Sequence, residues 1–216
     1  MKFLPNSDIE NVAIDFLKAH HPRFLLPVPI EEIAAFKMGL KIIPVGGMKN
    51  GTGVDGCLSA DLKNIYIDQD QYLNQEFRSR FTIAHELGHY VMHSQDIRSL
   101  KIKSDRSWKQ LVLSSKKSWG SMEYQAYMFA GYVLIPTPSL EMVLKNIEPA
   151  EDEYDVFSTV RKVAKIFHVS DACAEKRLFN HQLLSSKSAK RAHLKSAGKQ
   201  QLWQKHVERP QMFLGG

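Results

Sequence analysis

His85, Glu86 and His89 are the residues whose types and spacing could do chemistry. They lie within residues 77–93, a stretch that the sequence predicts to be one helix. Positions i and i+4 of a helix lie on one face about 6 Å apart, so both imidazoles can bind one ion. Glu86 is rotated by about 100° from His85 and so points beside that ion, where a general base for a metal-bound water belongs. The spacing predicts zinc hydrolase chemistry, with a surface helix carrying two solvated histidines as the alternative.

A third protein ligand is required, because a catalytic zinc usually takes three and keeps one position for water. Met92 and Gln95 exclude the extended pattern that adds a glycine and a third histidine on the same stretch. We favour Glu123, which opens a helix with an apolar face and would be carried inward, where a carboxylate needs a cation or hydrogen bonds. His93 is the rival, but it lies one further turn along the axis than His89. Each residue also has a non-catalytic alternative. Glu123 could serve only to interact favourably with the dipole at the start of its helix. His93 could be a surface histidine, or a buried one whose nitrogens are hydrogen-bonded within the protein.

The elements that must position these residues form a mixed α and β pattern. Periodicity and turn residues predict, in order, a helix over 7–20, a helix over 30–36, a strand over 40–45, a loop over 45–56, a hairpin of 56–60 and 64–68, the helix over 77–93, a helix over 123–134, and helices over 156–167 and 170–180. Ser170 is expected to cap the last helix. The predicted fold class is therefore α+β.

Composition narrows the class of protein. The chain has 216 residues, of which 44% are hydrophobic, and no run approaches the roughly 20 apolar residues of a membrane span. The N-terminus lacks the apolar stretch of a secretory signal. The two cysteines, Cys57 and Cys173, lie far apart and are expected to be free thiols. These features predict a cytoplasmic protein without a membrane partner.

Basic residues are concentrated in two segments. The net charge is +6, and residues 97–122 and 182–216 each carry an excess of +6 over an otherwise neutral or acidic chain. We expect the first segment to be an excursion over the site and the second to be a flexible tail. Both could attract an acidic partner or nucleic acid. A solvated surface is the alternative for either segment.

Two motifs resemble the ImmA/IrrE family of metallo-endopeptidases. The first is Arg80 to His93, which contains the two histidines, and the second is Glu123 to Pro136. Three upstream stretches also resemble the N-terminal part of that family, at residues 26–34, 38–42 and 55–58. The resemblance covers about residues 8–181 and leaves out the basic tail.

The resemblance implies that His85, His89 and Glu123 hold zinc and that Glu86 is the catalytic base. It also implies a zincin-like core with a small sheet and a zinc-binding helix pair. The family often has an asparagine four residues after the ligand glutamate, where this chain has Tyr127. Tyr127 and Tyr132 are candidates for stabilising the oxyanion. We expect three parts, a metallopeptidase domain over 1–148, a helix-turn-helix-like helical subdomain over 149–181 and the tail over 182–216.

The resemblance further implies a substrate. Members of the family cut helix-turn-helix transcriptional repressors and so release stress or mobile-element genes. The alternative function is a regulatory DNA-binding or regulator-binding module whose zinc site only senses metal or is inactive. The presence of Glu86 favours the enzyme, because a structural zinc site needs no base. Direct DNA binding is accordingly not favoured.

Overall fold

A computed structural model of the chain describes residues 4–99, 120–147 and 153–180. The described residues are mainly helical with one three-stranded sheet, which confirms the α+β class. The chain divides into two compact units, Met1–Leu134 and Ile135–Gly216. The expected domain bounds near 148 and 181, most of the basic segment 97–122 and all of the tail 182–216 lie outside the described residues.

The first unit contains six helices and three strands among its described residues. In order they are α1 (Asn6–His20), α2 (Ile30–Glu32), β1 (Lys41–Val45), α3 (Met48–Thr52), β2 (Gly56–Leu58), β3 (Asn64–Asp68), α4 (Gln69–Asn74), α5 (Glu76–Ser99) and α6 (Gly120–Leu134). A π-helical turn over Ile33–Lys37 continues α2, and Gly39 follows it in the left-handed region at φ 68°. The predicted helix over 77–93 is confirmed and is longer than expected.

The sheet has the strand order β1-β3-β2. Strands β2 and β3 are antiparallel, with Gly56 opposite Ile67 and Leu58 opposite Ile65, which confirms the predicted hairpin. Strand β1 pairs parallel to β3 on its other side. Strand β2 is therefore an edge strand, and it packs against α5.

The predicted loop over 45–56 was wrong in part, because it contains α3. Gly47 and Gly53 flank this short helix with φ values of 66° and 76°. These left-handed values are accessible to glycine at little cost, so the two glycines begin and end a helix. The glycines of this segment correctly indicated where α3 begins and ends, but the sequence pattern did not predict the helix between them.

Close backbone packing brings β2 and α6 against α5. A Cβ at Gly56 would lie 2.5 Å from Cγ2 of Thr82, so only glycine lets the start of β2 lie this close to α5. A Cβ at Gly88 would lie 3.0 Å from Cα of Ala126 on α6. The two glycines therefore permit the close approach of the edge strand and of α6 to the central helix.

Helix α6 lies between α5 and α1. Phe129 is fully buried, and its ring meets the ring of Phe16 on α1 edge to face, with centroids 5.5 Å apart. Tyr124 on α6 donates a hydrogen bond to Oδ1 of Asn6 at 2.9 Å. The predicted apolar face of α6 is confirmed, since Ala126, Phe129, Ala130, Val133 and Leu134 are all buried.

The second unit contains three described helices, α7 (Thr137–Leu144), α8 (Glu153–Phe167) and α9 (Asp171–Asn180). Arg177 of α9 is buried and donates to the carbonyl of Ile135 and to Oγ1 of Thr137. The turn between α8 and α9 places His168 at φ 55°, a conformation that favours glycine. Ser170 caps α9 as predicted, with its Oγ accepting from the Cys173 backbone at 3.2 Å. Among the described helices of the chain, none has the length and apolar character of a membrane span.

Candidate metal centre

His85 and His89 occupy one face of α5, as their spacing predicts. Their Nε2 atoms are 3.1 Å apart, and the ring centroids are separated by 4.8 Å. His89 is almost completely buried, whereas the side chain of His85 is 18% exposed. One point in space is therefore within reach of both imidazole nitrogens.

Glu123 reaches the same point from the first turn of α6. Its Oε2 lies 3.1 Å from Nε2 of His85, and its Oε1 lies 3.3 Å from Nε2 of His89. The side chain is 46% exposed, which differs from the buried carboxylate that the sequence argument expected. The reason is its place at the start of α6, where packing against α5 leaves part of the carboxylate open.

The arrangement of donor atoms fits a zinc ion. Ligands about 2.0 Å from a tetrahedral centre are about 3.3 Å from one another. Nε2 of His85 lies 3.1 Å both from Nε2 of His89 and from Oε2 of Glu123, close to this value. The 3.3 Å separation of Glu123 from His89 is measured to its other oxygen, Oε1. With one ligand atom taken from each residue, the three atoms lie within 4.8 Å of one another. Two imidazoles and one carboxylate are also a common ligand set for a catalytic zinc, with a fourth position left for water.

Glu86 lies beside this group and is held by the sheet. It is 5% exposed, and its Oε2 accepts a 2.8 Å hydrogen bond from the backbone N–H of Leu58, the last residue of β2. Edge strand β2 thus fixes a carboxylate that α5 alone would leave free to rotate. Leu58 was not among the site residues expected from the sequence, because a backbone donor leaves no signal in residue type.

The electrostatics of the group differ from one carboxylate to the other. Burial raises the pKa of Glu86, and His85 and His89 only partly offset this effect. Partial burial also acts to raise the pKa of Glu123, but the charge of His89 and hydrogen bonds from both imidazoles hold it well below its usual range. Glu123 therefore stays ionised like a metal ligand, whereas Glu86 has the raised pKa that suits a general base.

The pKa of His89 reflects two opposing effects. Burial alone lowers it, but the nearby Glu123 carboxylate outweighs burial, so that the net pKa is raised. His89 thus carries a proton more readily than an ordinary histidine. Because a metal ligand must be deprotonated, ion binding at this position displaces that proton.

His93 does not join the donor group, in agreement with the expectation that a further turn takes it out of range. It is 2% exposed, and its Nδ1 lies 3.1 Å from Nδ1 of His89. Its Nε2 lies 3.1 Å from Oε1 of Gln125 on α6. Burial, followed by the charge of His89, lowers the pKa of His93 to about 4, so this imidazole is neutral at ordinary pH.

Gln125 and Ser121 are site residues that sequence reasoning missed. Gln125 is 2% exposed and donates from Nε2 to Oγ of Ser121 at 3.0 Å. The signal for them was available, because two polar residues at i and i+4 interrupt a helix that is otherwise mostly apolar. A buried amide in such a helix needs polar partners, and His93 supplies one of them.

Tyr127 and Tyr132 are placed differently on α6. Nine residues separate Tyr132 from Glu123, which turns it to the opposite side of the helix, and it is 5% exposed. Tyr127 follows Glu123 by four residues and shares its face. Its ring packs against Phe81 of α5 with centroids 5.1 Å apart. Of the two tyrosines, only Tyr127 lies on the side of α6 that carries the candidate ligand.

Part of the chain resembles a known peptidase family. No curated protein matches the chain. The family described as the IrrE N-terminal-like domain, a peptidase family, matches residues 48–179. This match spans α3 to α9 and includes all of the donor residues. It covers more than half of the sequence, and the chain therefore belongs to the ImmA/IrrE family of metallopeptidases.

Proposed function

We propose that the protein is a zinc-dependent endopeptidase in which His85, His89 and Glu123 hold the ion and Glu86 is the catalytic base. The observation that supports this most directly is the convergence of the three donor atoms, all within 4.8 Å of one another. Glu86 adds a buried carboxylate with a raised pKa directly beside them. A purely structural zinc site has no need of that carboxylate.

The side chains have distinct tasks in this reaction. An ion held by His85, His89 and Glu123 would supply a water ligand with its pKa lowered to about 7 and would polarise the carbonyl of the scissile peptide. Glu86 accepts the proton of that water and passes it to the leaving amine. The Leu58 N–H holds the Glu86 carboxylate in place at 2.8 Å, so the base is already oriented before substrate arrives.

The proposed substrate is a helix-turn-helix transcriptional repressor, whose cleavage relieves repression of stress or mobile-element genes. The resemblance to ImmA/IrrE proteins supports this, together with the peptidase family to which the chain belongs. The proposed compartment is the cytoplasm, where such a repressor works and where the free thiols Cys57 and Cys173 stay reduced.

The charged residues of α9 can be compared with those expected in the alternative function, a DNA-binding module. A helix that reads DNA presents basic and amide side chains to the bases and phosphates. The arginine of α9, Arg177, is 3% exposed and is bonded to Ile135 and Thr137 within its own unit. The charged residues left on the outer side of α9 are Asp171, Glu175 and Lys176. Their net negative charge argues against DNA reading by this helix.

The metal assignment is tested by stoichiometry. The purified full chain should hold about one zinc, measured by atomic absorption, and lose it when His85 and His89 are both changed to alanine. His20→Ala is the matched control, since this histidine lies on α1 and should leave the zinc content unchanged. Full zinc content in the double variant would place the metal elsewhere.

The catalytic assignment is tested by Glu86→Gln, which keeps the shape of the side chain but removes its basicity. The variant should bind zinc and substrate as the wild type does, while its cleavage rate falls by at least about 100-fold. The assay combines the protein with a purified helix-turn-helix repressor and follows cleavage by mass spectrometry. Cleavage at the wild-type rate would show that another group acts as the base.

A further inference from the structure

Behind the candidate metal centre, a line of buried polar side chains leads away from the candidate ligand His89. It runs from Nδ1 of His89 to Nδ1 of His93 at 3.1 Å, and from Nε2 of His93 to Oε1 of Gln125 at 3.1 Å. Gln125 then donates to Ser121 at 3.0 Å. The residues His89, His93 and Gln125 are each at most 7% exposed.

The atom that Gln125 presents to His93 determines the direction of the hydrogen bonds between Gln125 and His89. At one end, Oε1 of Gln125 can only accept, so Nε2 of His93 must carry the proton. A neutral His93 then has a bare Nδ1, which accepts from Nδ1–H of His89. A neutral His89 with its proton on Nδ1 has its lone pair on Nε2. That lone pair points at the donor group shared with His85 and Glu123.

The reverse direction would disable the site. If the amide of Gln125 presented its nitrogen, His93 would carry its proton on Nδ1 and donate to His89. His89 would then be protonated on Nε2, the atom that must bind the ion. The choice between the two tautomers of His89 therefore rests on which atom of Gln125 faces His93.

We propose that His93, oriented by Gln125, is a positioning residue that holds His89 in the tautomer and ring orientation needed to bind metal. This inference rests on the proposed function and adds residues to it that touch neither metal nor substrate. In this proposal α6 positions two residues of the site. It places Glu123 next to the ion and Gln125 next to His93. Partners of this kind typically alter metal affinity by about 10- to 100-fold.

Two substitutions at His93 separate positioning from packing. His93→Asn keeps an acceptor oxygen close to the place of Nδ1 but leaves space where the ring was. His93→Phe fills the space and removes the acceptor. We expect zinc affinity, measured by competition with a chromophoric chelator, to fall at least about 10-fold in His93→Phe and to stay within about threefold of wild type in His93→Asn. A packing role alone gives the opposite ranking, and that result would overturn the inference.

A spectroscopic measurement reports the hydrogen bond itself. In the zinc-loaded full chain, the Nδ1 proton of His89 should give a slowly exchanging signal in the proton NMR spectrum. The signal should persist in His93→Asn and disappear in His93→Phe, which leaves this N–H without its protein acceptor. An Nε2-bound proton on His89 in the zinc-loaded wild type would contradict the proposed direction.

Substitutions at Gln125 test the same inference independently if the His93→Phe variant fails to fold. Gln125→Glu still presents only acceptors to His93 and should keep the zinc affinity within about threefold, whereas Gln125→Leu should lower it at least about 10-fold. Equal affinities for these two variants would overturn the inference. Ile97→Ala is the matched control, because Ile97 is 2% exposed on the same helix, one turn beyond His93. It should lower the melting temperature and leave zinc affinity unchanged.

The outcomes also separate this inference from the proposed function. A wild-type protein that binds no zinc would refute the proposed function. A wild type that binds zinc, together with a His93→Phe variant that binds it equally well, would refute only the role of His93.

Discussion

At the scale of single residues, the direction in which each side chain points decides its part in the site. Glu123 lies within 3.3 Å of both Nε2 atoms, whereas His93 approaches His89 at Nδ1, the nitrogen that faces away from the donor group. A residue that would hold the ion directly should matter more than one that orients a ligand. The two side chains therefore predict a ranking of zinc affinities.

We expect Glu123→Ala to weaken zinc binding by more than about 100-fold and His93→Ala by about 10- to 100-fold. Glu141→Ala, which removes an exposed carboxylate from α7, is the control and should leave the affinity unchanged. Titration with a competing chelator measures all three variants. The opposite ranking of Glu123 and His93 would make His93 the third ligand.

The hydrogen bonds of Asp68, at the end of β3, should make the free energy of unfolding depend on pH. Its carboxylate accepts from the backbone N–H of Lys49 at 2.9 Å and from that of Gln71, in the first turn of α4, at 3.1 Å. These hydrogen bonds lower its pKa from the ordinary value of 3.8. Its stabilising effect is therefore present above the unfolded pKa and is lost as the pH falls through the lower folded pKa.

We expect Asp68→Asn to melt at a lower temperature than wild type at neutral pH, with a difference that shrinks as the pH falls towards about 3. Thermal unfolding followed by circular dichroism over that range measures the difference. Asp70→Asn is the control, since Asp70 is exposed on α4 and should show no such trend. A difference of constant size would mean that the Asp68 charge does not stabilise the fold.

At the scale of elements, the site depends on how closely α5 and α6 approach each other. A Cβ at Gly88 would lie 3.0 and 3.2 Å from the Cα and carbonyl oxygen of Ala126 and 3.2 Å from the ring of Phe129. The helices would have to separate by a few tenths of an ångström to admit it. Such a shift would move Glu123 and Gln125 together away from α5.

We therefore expect Gly88→Ala to lower both the melting temperature and the zinc affinity, although alanine favours a helix over glycine by about 1 kcal/mol. Gly51→Ala in α3 is the matched control, because nothing lies within 4 Å of a Cβ there. Its stability should be unchanged or increased. If Gly88→Ala is as stable as wild type and binds zinc equally well, the close approach of the helices does not limit the site.

At the scale of the whole molecule, charge outside the site predicts how substrate is selected. The basic segment 97–122 joins α5 to α6 and so begins and ends on the two helices that carry the candidate ligands. Its excess of +6 suits an acidic segment of the partner. Attraction of this kind weakens as salt rises.

Neutralising Arg98, Lys101, Lys103 and Arg106 together should slow cleavage of the repressor at low ionic strength, mainly by raising KM, with zinc content unchanged. Deleting residues 186–216 should have a smaller effect, because that tail lies outside the part of the chain that resembles the family. Steady-state kinetics at two salt concentrations measure both. Loss of cleavage on deleting the tail, with normal cleavage by the charge variant, would place recognition in the tail.

The sequence by itself determined the features that depend on local periodicity. Helical spacing put His85 and His89 on one face and Glu86 beside them, since 3.6 residues per turn fixes those directions. Alternation of side chains predicted the β2–β3 hairpin, and Ser170 predicted the start of α9. The apolar face of α6 predicted that this helix packs inward, which brings Glu123 to the histidines.

Only the tertiary structure decided which residues meet across elements. The pairing of His93 with Gln125, the Leu58 N–H on Glu86 and the partial exposure of Glu123 each depend on how separate elements pack. Local periodicity fixes the direction of a side chain on its own helix or strand, but not the distance or register between elements. At Gly88 and Gly56 that distance is set by the absence of a single Cβ, whose effect appears only when the neighbouring backbone is in place.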